Sequence, residues 1–159
     1  MQNTELSDQD IATIIRAIFN GASIGDVCNV SDAQVESLYA LAYNLYTSGN
    51  FEDAGTVFQA LCLYRHKDVR FWMGLGGCRQ ALGEYKLAID AYGMAGTAAL
   101  LADPQPFLFG AQCYLKMGDK ASAADALRGV LALGDDSNPA HATCHEKAKA
   151  LLAIIEQNA

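Results

Sequence analysis

The chain has 159 residues, 52% of them apolar and 18% charged, with a net charge of −7. That is enough apolar side chain for one compact domain and too much for a disordered one. The acidic balance speaks against nucleic-acid binding, which needs a basic surface, and no apolar run reaches the roughly 20 residues that span a bilayer.

The first ten residues, MQNTELSDQD, are polar and acidic, unlike a secretory leader, and predict a cytoplasmic protein. Ser7-x-x-Asp10 opens a first helix in which Ile11, Ile14, Ile15, Ile18 and Phe19 recur at helical spacing. The stripe has two readings: it folds back on the remainder of the chain as a cap, or it pairs with a second copy in a homodimer. NGASIGDVCNV reads as a linker, and residues 1–34 as an N-terminal helical region.

Ser31-x-x-Gln34 is a capping box that opens the first of three related units, 35–68, 69–102 and 104–137. In each unit a glycine (Gly49, Gly83, Gly118) is followed five positions on by an alanine (Ala54, Ala88, Ala123). Leu38, Trp72 and Phe107 hold the fourth position, Leu41-Ala42, Leu75-Gly76 and Gly110-Ala111 the next ridge, and Phe58, Tyr92 and Leu127 the second helix. This is the tetratricopeptide pattern, two antiparallel helices per unit, with small residues where the helices approach closely. GLGG at 74–77 is then helix packing. As a dinucleotide loop it fails, because Arg79 stands where the last glycine belongs and no strand precedes it.

Asp103-Pro104 starts the third unit, and Asn138-Pro139 starts a final helix of about 139–157 within a C-terminal region, 138–159, that closes the stack. The expected fold is all-α: a right-handed superhelical stack of three repeats with an N-terminal helix and a C-terminal capping helix.

The five cysteines are odd in number and lack a Cys-x-x-Cys pair, so they read as small buried hydrophobes. His141, Cys144 and His145 lack a fourth ligand, and no metal is assigned. The acid pairs Glu52-Asp53 and Asp135-Asp136 read as solvated caps. No nucleophile–base pair can be assigned to His66, so neither an enzyme nor a cofactor is expected.

Stacked repeats leave a concave face lined by their first helices. The inward positions are Glu36, Tyr39, Tyr43 and Tyr46, then Arg70, Met73, Gly77 and Gln80, then Gln105, Leu108, Gln112 and Leu115. The three tyrosines are either core or groove. Leu38, Leu41, Ala42 and Leu45 already fill the packing positions, which favours the groove. Tyrosine offers wide apolar contact, little side-chain entropy to lose and a hydroxyl for a peptide backbone. The ligand expected is an extended, largely uncharged peptide with apolar anchors. A Lys/Asn clamp for an acidic C-terminal tail is missing, since Tyr39, Tyr43, Gly74, Gln105 and Phe109 hold those positions.

Residues 38–92, with FxALCxxxHxDxRF followed by GLGxCRQAxGxYxxAI, resemble the class II chaperones of bacterial type III secretion, the SycD/LcrH kind. The resemblance implies a chaperone that keeps hydrophobic translocator proteins soluble and apart in the bacterial cytosol before export. It implies a client segment lying extended in the groove, with no nucleotide. The residues at matching positions are Tyr39, Tyr43, Asn44 and Tyr46, His66 and Arg70 at the first junction, and Met73, Gln80, Gln105, Leu108 and Gln112 beyond it. Lys120 replaces the usual aromatic in the third unit. Members are often dimers through the N-terminal region, which favours the dimer reading of Ile11–Phe19. The alternative is a generic assembly scaffold, or a regulator that binds a folded partner.

Overall fold

The computed structural model describes residues 8–157, without the side chains of residues 8, 10, 11 and 18. The Ser7 cap and the Ile11 and Ile18 side chains therefore lie outside the described residues. Regular structure among these is helical throughout: α1 (Asp8–Phe19), α2 (Ile24–Val27), α3 (Asp32–Thr47), α4 (Phe51–Tyr64), α5 (Val69–Ala81), α6 (Tyr85–Ala98), α7 (Gln105–Lys116), α8 (Lys120–Leu131) and α9 (Pro139–Gln157). From α3 to α9 each helix packs on the next, and α9 also reaches α7.

The turns follow from the glycines. Gly49, Gly83 and Gly118 have φ of 83°, 78° and 77°, a left-handed conformation that a side chain would strain. Past each, the N–H of Asn50, Glu84 and Asp119 donates to a carbonyl in the preceding helix (Leu45, Arg79 and Tyr114) at 2.9, 2.9 and 3.0 Å. The chain thus reverses the same way three times. At the start of α3 the Ser31 and Gln34 box is closed: Gln34 N–H donates to Ser31 Oγ (3.2 Å) and Ser31 N–H to Gln34 Oε1 (2.9 Å). Ala42, Ala54, Ala88, Ala111 and Ala123 are all fully buried, as the close helix approach requires.

Two N-terminal features differ from expectation. The linker contains α2, opened by a capping box of its own between Ser23 and Asp26. That helix docks on α4 and is tied there by Arg65, which donates to Ser23 Oγ (3.1 Å) and to the Val30 carbonyl (2.9 Å). α1 packs against α2, while Phe19 (87% exposed) and Ile15 (48%) stay in solvent and Ile14 is half-buried. Of the described residues in its apolar stripe, Ile15 and Phe19 are thus exposed, and the element that docks on the stack at this end is α2.

Cys62, Cys78, Cys113 and Cys144 are buried, whereas Cys28, expected among the buried cysteines, is exposed. Burial pushes the Cys62 thiol up to about 12 and Cys78 up to about 11. These thiols stay protonated and inert at neutral pH. Among the described residues no helix is long and apolar enough to cross a membrane, and no three metal-capable side chains cluster.

Candidate peptide-binding groove

The first helices of the three units line one cavity of about 680 Å³. α3 supplies Tyr39, Tyr43 and Tyr46, whose spacing of four and three keeps them on one face. Tyr39 is rooted in the core, its ring 5.7 Å from Phe71 and 6.2 Å from Phe58. Tyr43 is 54% exposed and 6.4 Å from Tyr39. Tyr46 leans edge-on against Phe51 at 5.3 Å and faces Gly77, whose missing Cβ leaves room for its hydroxyl end. The hydroxyls of Tyr39, Tyr43 and Tyr46 have no partner among the described residues.

α5 forms the floor with Met73, Gly74, Gly77 and Gln80, and the Phe58 ring sits where a Cβ on Gly74 would go. α6 adds Tyr85 and Tyr92, and α7 adds Gln105, Phe109 and Lys116. Tyr92 is 3% exposed and stacks on Phe109, centroids 5.4 Å apart. Its hydroxyl donates to Gln80 Oε1 at 2.7 Å, and burial pushes this phenol well above its usual range, so the donor keeps its proton. The wall is thus largely aromatic, with amides and hydroxyls at its edge.

Among the described residues, Arg70 and Lys116 are the cations that line the cavity. Arg70 Nη2 meets Glu36 Oε1 at 2.8 Å and Asp68 Oδ2 at 2.7 Å, and the guanidinium lies 4.8 Å above the Tyr39 ring. Hydrogen bonds to Asp68 and then to Glu36 hold it charged. Lys116, at the end of α7, has no ion pair or hydrogen bond among the described residues.

Of the residues expected from the sequence, Tyr39, Tyr43, Tyr46, Arg70, Met73, Gln80 and Gln105 line this cavity. Asn44 is exposed on α3 but off that face, and Gln112 is half-buried without lining the cavity. His66 belongs to a second, polar hollow of about 620 Å³ beside Arg65 and Lys67, and its carbonyl accepts from Trp72 Nε1 at 2.7 Å. Leu108 requires correction: it is 3% exposed, in the cluster formed with Leu127, Ala148 and Leu152. The terminal helix α9 covers the end of the stack and takes Leu108 into that core, while its neighbour Phe109 faces the groove. Phe58, Val69, Tyr85, Tyr92 and Lys116 line the cavity without having been expected there. The signal was the heptad pair Tyr85 and Tyr92, matching Phe51 and Phe58 one unit earlier, which read only as packing.

A family profile described as a tetratricopeptide repeat matches residues 35–68. Low calcium response locus protein H of Yersinia pestis is 44% identical over 107 residues, which is 67% of this chain and 63% of that protein. The match thus spans less than two thirds of that relative's length. A type III secretion complex from Aeromonas hydrophila contains a chain with TM-score 0.84 and 31% identity, covering 92% of this chain and 97% of that one. The Yersinia enterocolitica type III secretion chaperone SycD, solved with a peptide of the translocator YopD, has TM-score 0.74 and 37% identity over 81% of this chain and 97% of that one.

Proposed function

This chain belongs to the SycD family of type III secretion chaperones, and from that premise we propose that it binds hydrophobic translocator proteins by holding an extended client segment in the tyrosine-lined groove. The observation that carries this reading is the cavity itself. Three tyrosines present aromatic faces and unpartnered hydroxyls to a space of about 680 Å³. Each well-buried apolar anchor of a client contributes about 1.5–3 kcal/mol before the cost of ordering the chain. An extended peptide also brings backbone N–H and C=O groups, which the hydroxyls and the amides of Gln80 and Gln105 can meet.

The work is done by occupancy rather than turnover. A translocator destined for a membrane has apolar segments that aggregate in water, and a preformed groove masks part of that surface without folding the client. Release needs a competing partner, not a bound nucleotide. The place of action is the bacterial cytoplasm before export, and the groove residues are Tyr39, Tyr43, Tyr46, Arg70, Met73, Gln80 and Gln105. Co-expression with a hydrophobic translocator of a type III secretion system tests the proposal. The client is expected to become soluble and co-purify, and a client that stays insoluble in the presence of folded chain overturns the reading.

A further inference from the structure

The two cations of the groove are in opposite states. Arg70 is forked between Glu36 and Asp68, two carboxylates on one guanidinium, so its charge is more than matched within the protein. Lys116 lines the same cavity, is exposed, and meets no carboxylate or hydrogen-bond acceptor among the described residues. Among the described residues no aspartate or glutamate lines this cavity, although the chain carries a net charge of −7. Among the described residues Lys116 is therefore an unpaired positive charge beside aromatic walls, where an ion pair is screened less than on open surface.

We infer that the segment accepted by this groove carries an aspartate or glutamate close to its apolar anchors, and that Lys116 selects it by pairing with the carboxylate. The inference rests on reading the groove as the client site and adds a charge requirement to it. It replaces the largely uncharged ligand expected from the sequence, where Lys116 drew no attention. The competing role for Lys116 is to face the last carbonyls of α7, where a cation is favourable at a helix C-terminus. That role changes stability and is blind to the ligand.

The test uses the full chain and an array of overlapping peptides covering the translocator that co-purifies with it. Each binding peptide is made as found, with its acids changed to Asn or Gln, and with them changed to Lys. The neutral peptides are expected to bind wild type about 2–5-fold more weakly, in keeping with a partly exposed ion pair. Salt at about 0.5 M should shrink that difference. Lys116→Gln should abolish it, and Lys116→Glu should favour the lysine peptides instead. Binding peptides without acids, wild type indifferent to the acid changes, or equal discrimination by Lys116→Gln each overturn the inference while leaving the groove as the client site. An array on which nothing binds instead removes the groove reading itself.

Discussion

The Tyr92 ring rests on Gly76: a Cβ at position 76 would come 2.5 Å from ring carbon Cε1. The ring has nowhere to retreat, since it is buried, stacked on Phe109 and tethered through its hydroxyl to Gln80. Gly76→Ala is expected to destabilise the fold by about 1–3 kcal/mol, the usual range for overpacking. For a chain of this length each kcal/mol lowers Tm by roughly 2–4 °C. Gly93, in the middle of α6, has nothing within 4 Å of a built Cβ. Gly93→Ala should stabilise by about 0.5–1 kcal/mol through helix propensity. Thermal melts of the two variants would show opposite signs; equal shifts would contradict the packing described.

This pair also marks how far the sequence could be read. The repeat period exposed Gly76 as a close-approach position, because Ala42, Gly76 and Ala111 fall in register. It placed the turns as well, since Gly49, Gly83 and Gly118 recur in step. What it could not tell was which side of a second-helix aromatic faces the groove. Tyr92 both fills the core and floors the cavity, and a periodicity assigns one face per residue. Leu108 is the converse case. Its position in the unit is that of Tyr39 and Met73, but its neighbour is a terminal helix rather than another repeat, and the pattern holds no record of that. The helix α2 was legible in principle, since Ser23-x-x-Asp26 is a capping box, but a single turn carries no periodicity.

Tyr43 and Tyr39 separate binding from stability. Tyr43 is 54% exposed, whereas Tyr39 packs on Phe58 and Phe71 and carries Arg70 over its face. Tyr43→Ala should leave the melting temperature within about 1–2 °C of wild type, as a surface change does. It should weaken client-peptide binding by about 5–30-fold, the loss of one aromatic anchor. Tyr39→Ala should cost about 2–4 kcal/mol of stability as well. Calorimetric titration beside a thermal melt decides; undiminished binding by Tyr43→Ala would remove it from the client site.

His145 gives the fold a pH dependence at its C-terminal end. Its Nδ1 is 2.5 Å from Asp136 Oδ1 and its Nε2 is 2.8 Å from the Leu133 carbonyl, so both nitrogens face acceptors and the imidazolium satisfies both. The Asp136 hydrogen bond, and next the Leu133 carbonyl, raise its pKa above 6.5, while burial and, less strongly, Lys149 oppose this. A raised folded pKa means the stabilisation is fully present below the unfolded value of 6.5 and is lost as pH rises through the folded one. Denaturant midpoints of wild type should fall from pH 6 toward alkaline pH relative to His145→Gln. Parallel profiles for the two proteins would show that the imidazolium contributes nothing.

The exposed face of α1 is read as a contact between two copies. Phe19 is 87% exposed and Ile15 48%, on a helix that packs against the short α2. Lysine is tolerated near a helix C-terminus, so Ile15→Lys with Phe19→Lys removes the apolar surface without opposing the helix dipole. Sedimentation should show wild type as a dimer and the double variant as a monomer, with groove binding retained. A wild type that remains monomeric at high concentration would leave this face without a role in self-association.

The joint holding that N-terminal region is Arg65. Its side chain is 23% exposed and meets Asp26 at 3.2 Å, Asp32 at 3.3 Å, Ser23 Oγ at 3.1 Å and the Val30 carbonyl at 2.9 Å. Gly25 makes room for it, because a Cβ there would overlap the guanidinium and come 2.6 Å from the Tyr64 carbonyl. The hydrogen-bonded box with Ser23 holds Asp26 below the usual carboxylate range, and Arg65 adds to this. A lysine would keep the charge but not the fork that reaches these partners. Arg65→Ala and Arg65→Lys are therefore both expected to free α1 and α2 from α4 while the repeats stay folded. Limited proteolysis should then cut between residues 20 and 31 much faster than in wild type, leaving a resistant fragment from α3 onward. If Arg65→Lys is as resistant as wild type, charge alone fixes the joint and the hydrogen-bond geometry is dispensable.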